Sequence, residues 1–161
     1  MIRHEARRAA DYFMTEKRSA PIRSHRDLEV WQTAIKLACE TYRVTEGFPK
    51  REMYGLSSQM RRAAASIGSN IAEGHGRDTT LDFLRFLTIS AGSLRELDTY
   101  VVLSVKLGYV SPSQAHALGE LAESTGRMLT ALRAALRRRH ATRTRRPLQS
   151  PAPISQLPTQ T

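Results

Sequence analysis

Between Tyr54 and Arg77 the chain reads YGLSSQMRRAAASIGSNIAEGHGR, and at roughly 100° per residue it sorts into three faces instead of two. Leu56, Met60, Ala63, Ala64, Ile67 and Ile71 share one arc, the stripe expected to face a core. Ser58, Ala65, Gly68 and Ala72 make a second face with almost no bulk, where another backbone can come close. Gln59, Arg62, Ser66, Asn70 and Glu73 recur at spacings of three and four as a polar ridge, which Arg77 extends if the helix runs on.

The same periodicity predicts three more helices. The first spans about Asp27 to Glu46, with Leu28, Trp31, Ile35, Ala38 and Tyr42 as its bundle seam and Cys39 packed beside it. Val30, Leu37 and Val44 form a separate stripe that a lone bundle would leave wet, so it is assigned to a subunit interface. Gly47-Phe48-Pro49 ends this helix, with Gly47 suited to a left-handed position and Pro49 to the first turn of the next. The second helix stops near Glu73. Thr79 and Asp82 form a capping box for the third, which reaches about Leu107 with an apolar arc of nearly half its circumference. Asp98 falls inside that arc and needs an arginine partner, Arg62 being the first candidate. Ser111, Pro112 and Gln114 open the fourth helix, striped by Leu118, Leu121, Thr125, Met128, Leu129, Leu132 and Leu136. Short connections make neighbours antiparallel. The expected fold is all-α, an antiparallel up-down-up-down four-helix bundle with flexible basic tails: an extension over 1–26, the bundle over 27–136 and an Arg-rich tail over 137–161.

Charge sharpens this division. Residues 1–26 hold seven basic and three acidic side chains, residues 27–136 hold twelve of each, and residues 137–161 hold six arginines and no acid. The whole excess of +10 therefore lies outside the expected bundle. Two cationic ends on a neutral body suit a polyanion, since each arginine near a phosphate releases a counterion; simple solubilisation is the competing reading. A lone Cys39 excludes a disulfide framework and fits a reducing cytoplasm. No apolar run approaches the roughly 20 residues that span a bilayer, and Ile2, Tyr12, Phe13 and Met14 are too few and too clustered for a surface anchor, so no membrane partner is expected.

Enzymatic chemistry finds no constellation. The five histidines are dispersed, no Glu-x-x-His or His-Glu-x-x-His pair exists, and Ser66 has no histidine within helical reach. Glu73-Gly74-His75-Gly76-Arg77 lacks the spacing of a phosphate loop and reads as a tight turn between helices. No metal, no cofactor and no enzyme activity are expected. The polar ridge has two readings. It is either a structural network in which Gln59, Arg62, Ser66, Asn70 and Glu73 satisfy Glu96, Asp98 and one another, or a ligand surface on which Arg61, Arg62, Arg77, Arg85 and Arg95 meet phosphates. Arg137, Arg138, Arg139, Arg143, Arg145 and Arg146 join the nucleic-acid candidates from the tail.

The run Arg62 to Arg77, RAAASIGSNIAEGHGR, resembles the signature RAAxSIxxNIAEGxGR of the 23S rRNA intervening-sequence proteins, small bacterial four-helix bundles. The accessory proteins of diversity-generating retroelements belong to the same superfamily. Asp27 to Gln32, Phe48-Pro49, Glu52, Tyr54 to Leu56, Phe83 to Leu87 and Gly92 to Leu97 fit as well, so the resemblance covers about 25–136. It implies the fold, a ring-shaped homo-oligomer (a pentamer in known members) and association with nucleic acid, and no reaction. The expected function is a non-enzymatic oligomeric scaffold that binds RNA or DNA non-specifically through basic tails and ring surface. The alternative is a protein–protein adaptor, such as an accessory subunit of a reverse transcriptase.

Overall fold

Each helix starts where a side chain or a turn satisfies its free N–H groups. The computed structural model describes residues 22–144; residues 1–21 and 145–161, with Arg145 and Arg146, lie outside the described residues. Ser24 and Asp27 form a reciprocal capping box around a 3-10 turn, His25–Asp27. The Asp27 carboxylate accepts the N–H groups of Arg23 and Ser24, each at 2.9 Å, and these bonds hold its pKa below the ordinary aspartate range. With Asp27 so occupied, helix α1 begins two residues later than its sequence suggests, at Glu29–Thr45.

Pro49 opens a 3-10 turn, Lys50–Glu52, rather than the next helix. Helix α2, Leu56–His75, waits until Gly55 has passed, and the Glu52 carboxylate then accepts the Leu56 N–H at 3.1 Å. Thr79 caps α3, Thr80–Lys106, by accepting the Asp82 N–H at 3.0 Å. Ser111 and Gln114 cap α4, Pro112–Thr144, reciprocally, at 3.3 and 2.9 Å. The left-handed glycine is not Gly47. Among the described residues it is Gly108, φ 72°, which turns the chain from α3 into α4.

The four helices form a square. Each of α1 and α3 touches α2 and α4, and the diagonal pairs do not meet. Contacts between α2 and α3 run in opposite chain directions. Along α2 and α3, Ser104 meets Met60, Ser93 meets Ser66, and Ser90 donates to the Ile67 carbonyl at 3.0 Å. Leu94 lies over Gly126 between α3 and α4, and Thr33 reaches Met128 between α1 and α4.

The core corrects the expected phase of α1. Val30, Ala34, Leu37, Thr41 and Val44 point inward, while Ile35 is 38% exposed and Tyr42 46% exposed. The stripe assigned to a subunit interface is thus the bundle seam; of the expected seam, Leu28 is buried, Trp31 and Ala38 pack at the edge of the core, and Ile35 and Tyr42 face outward. Two positions of the true seam are Ala34 and Thr41, so its bulk is low; Thr41 is satisfied by donating to the Leu37 carbonyl at 2.8 Å. Buried serines serve α3 the same way: Ser90 and Ser104 lie inside with Leu87 and Leu97, against Met60, Ile67 and Ile71 of α2 and Leu118 and Leu129 of α4.

Candidate functional site

The ridge of α2 breaks into three sets of contacts. Arg62 Nε donates to Gln59 Oε1 at 3.1 Å, and its Nη2 donates to Glu96 Oε1, which also accepts the Tyr100 hydroxyl at 3.3 Å. One turn on, the Ser66 and Ser93 hydroxyls lie 2.9 Å apart, and Asn70 Nδ2 donates to the Ser66 carbonyl and hydroxyl at 2.7 and 2.9 Å. At the end, Glu73 pairs with Arg77 on the surface. The expectation for Asp98 fails. It is exposed, because the core side of α3 runs through Leu97 and the buried serines and leaves Asp98 a step outside. The partner of Arg62 is Glu96, and the pair is shallow, with the arginine side chain 60% and the glutamate 32% exposed.

The candidate phosphate contacts fall into two groups. Arg61 donates to Thr45 Oγ1 at 2.7 Å and lies over the Tyr42 ring, Arg62 holds Glu96, and Arg77 holds Glu73 over the Phe86 ring. These three are already engaged. Arg85, Arg95, Arg137, Arg138, Arg139 and Arg143 are exposed and make no ion pair among the described residues. Also among the described residues, no three of His, Cys, Asp and Glu gather as a metal site would need, and no helix is long and apolar enough to cross a membrane.

Two hollows escaped the sequence reading. On the α1/α2 face, Trp31, Ile35, Ala38 and Tyr42 stand over Ala65, Gly68 and Ala72 and border a groove of about 690 Å³. The flat stripe of α2 is its floor. Gly68 is tight against this face, since a Cβ would sit 3.1 Å from Ile35 Cδ1 and the isoleucine would have to shift. On the α3/α4 face, Ala91, Leu94, Gly126 and Ala134 floor a second groove of about 650 Å³, rimmed by Arg95, Arg127 and Arg133. The Arg133 Nε is buried and has no partner among the described residues. In a square bundle these faces are opposite. The sequence signal was the recurrence of small residues, visible in α2 and overlooked between Gly126 and Ala134.

Comparison with known proteins agrees with this architecture. The family described as 23S rRNA-intervening sequence protein matches residues 26–131. A crystal structure of a protein of unknown function from Bacteroides thetaiotaomicron, described as of the S23 ribosomal protein family, superposes with a TM-score of 0.60 at 19% identity. The match covers 64% of this chain and 96% of that one, and the likeness is one of fold. Comparison with curated proteins returns no match.

Proposed function

The chain belongs to the 23S rRNA-intervening sequence protein family, and we propose that it acts as a non-enzymatic scaffold that assembles with copies of itself and binds RNA or DNA by charge. The observation that carries the self-association is the pair of apolar grooves on opposite faces of one bundle. A surface that meets a different surface on the next copy is heterologous, and such contacts close into rings when the rotation permits. The ring size expected from the family is five. The buried Arg133 Nε, on the α3/α4 side, would gain an acceptor from the neighbouring copy.

Nucleic-acid binding is supported by the neutral body, the basic ends and the exposed arginines without ion pairs. Such binding is sequence-independent and salt-dependent, and its place is the cytoplasm. Light scattering on the full chain tests the first half: a mass several times 18.1 kDa is expected, and a monomer would end the scaffold reading. Gel shifts at low salt with RNA and duplex DNA test the second.

A patch at one end of the bundle favours the second reading, a protein–protein adaptor such as a reverse-transcriptase accessory subunit. Tyr54 is 89% exposed beside Met53, and Leu107 is open at the end of α3. Co-purification of a single stoichiometric protein from the native host, insensitive to nuclease, would favour this over the nucleic-acid reading.

A further inference from the structure

We infer, resting on the nucleic-acid reading, that the phosphate-binding surface is one pole of the bundle, built from the overhanging end of α4 and the places where both chain ends leave it. The pole is defined by contacts. The His25 and His75 rings are 6.4 Å apart and the His75 and Phe83 rings 5.9 Å, so the entry of the chain, the end of α2 and the start of α3 meet there. Thr33 of α1 is level with Met128 of α4, and α4 continues for sixteen residues towards the same end. Ile22 and Thr144 therefore sit at one pole.

Helix lengths explain why α4 is bare there. At 1.5 Å per residue its 33 residues extend about 50 Å, against about 25 Å for the 17 of α1. The final turns have outrun α1, whereas α3, level with α4 at Leu94 and Gly126, keeps beside it to about His140, so the last turn passes both neighbours. Arg137, Arg138 and Arg139 point to different sides of the helix, and Arg143 adds a fourth exposed charge a turn later. Between Arg137 and Thr144 only His140 is partly buried, so this stretch has little to pack on. Neutralising the helix dipole accounts for Arg143 alone, because that effect fades within the last turn. Arg137 to Arg139 stand further in.

The excess positive charge is carried at one end of the bundle. Residues 27–136 sum to zero, while residues 22–26 carry two arginines and 137–144 carry four; the segments 1–21 and 145–161, outside the described residues, add net +2 each. All of the excess is attached to one pole. The acids present there are Asp27, Glu29, Glu73, Asp78 and Asp82, of which Asp27 and Asp82 are engaged in caps and Glu73 holds Arg77. The partner is a nucleic-acid backbone rather than an anionic membrane, because the overhang RRRHATRT has no large apolar residue to insert into lipid.

The test compares matched pairs of charges on the full-length protein. Arg138→Gln with Arg139→Gln removes two from this pole; Lys50→Gln with Lys106→Gln removes two exposed charges from the other. Binding of a labelled duplex DNA and a single-stranded RNA is measured across a salt series, with helix content checked by circular dichroism. The pole variant should lower the slope of log K against log salt by about 1–2 units and weaken binding at least roughly tenfold at physiological salt. The Lys50/Lys106 variant should leave the slope unchanged. Equal losses from both, or none from the pole variant while wild type binds, would overturn the inference and leave nucleic-acid binding standing. Absence of wild-type binding, or binding only to phosphatidylserine vesicles, would remove both together.

Discussion

Gly74 lies where α2 passes the start of α3 so closely that a Cβ would sit 2.7 Å from Phe86 Cβ and 2.8 Å from Phe83 Cδ2. Gly74→Ala should therefore cost about 1–3 kcal/mol through overpacking, even after the better helix propensity of alanine is counted. Gly92, in the middle of α3, has nothing within 4 Å of the same position, and Gly92→Ala should stabilise by about 0.5–1 kcal/mol. Thermal unfolding of the two variants should move in opposite directions. The helix stops within Gly74-His75-Gly76 as the sequence suggests, at His75 with Gly76 as its cap, and the first glycine is in addition a point of close approach. Composition cannot tell those two uses of glycine apart, because the neighbour comes from another helix. Arg62 illustrates the same limit. Its pairing across to α3 is legible, with Glu96 among the expected partners, but the choice of Glu96 over Asp98 and the shallowness of the pair are not. Since the Arg62–Glu96 pair is largely solvated, Arg62→Ala should lower stability by less than about 1 kcal/mol in a denaturant titration. A loss of several kcal/mol would mean that assembly buries the pair.

At the scale of the element, α1 is the instructive helix. Its two apolar stripes both follow the helical repeat, and the bulkier one lies partly outside, with Ile35 and Tyr42 exposed and Trp31 half-buried. The phase was decided elsewhere: α2 offers Met60, Ala63, Ala64 and Ile67 to the centre and keeps Gly68 for the edge. Leu37→Ala should cost about 2–5 kcal/mol, as for other leucines wholly within a core, and lower the melting temperature. Ile35→Ala should leave the unfolding of a subunit nearly unchanged and reduce the associated mass seen by light scattering. The reverse pattern would restore the original assignment of the two stripes. Caps were legible because they are local: Ser111 with Gln114 and Thr79 with Asp82 can be read without knowing the fold. The end of α4 was not, because continuation past Leu136 depends on helix propensity alone, with no apolar stripe to mark it.

On the scale of the whole molecule, the square arrangement turns separate features into a geometric constraint. In the proposed ring, opposite apolar faces would let each copy grip the next, and rotation about a common axis would carry every basic pole to an equivalent place. Such an assembly presents many arginines to one polyanion, so that after the first contact the others act at high local concentration. In such an assembly, association and nucleic-acid affinity would be linked, although they use different residues. A charge-neutral change in the α1/α2 groove, Ile35→Asn with Tyr42→Asn, should dissociate the assembly while keeping all 25 basic residues. It should also weaken binding to a duplex long enough to cross several subunits by at least roughly tenfold, and leave binding to a duplex that spans one subunit nearly intact. Equal affinity for the long duplex before and after dissociation would show that each bundle acts alone, and the grooves would then have to serve a partner other than this chain.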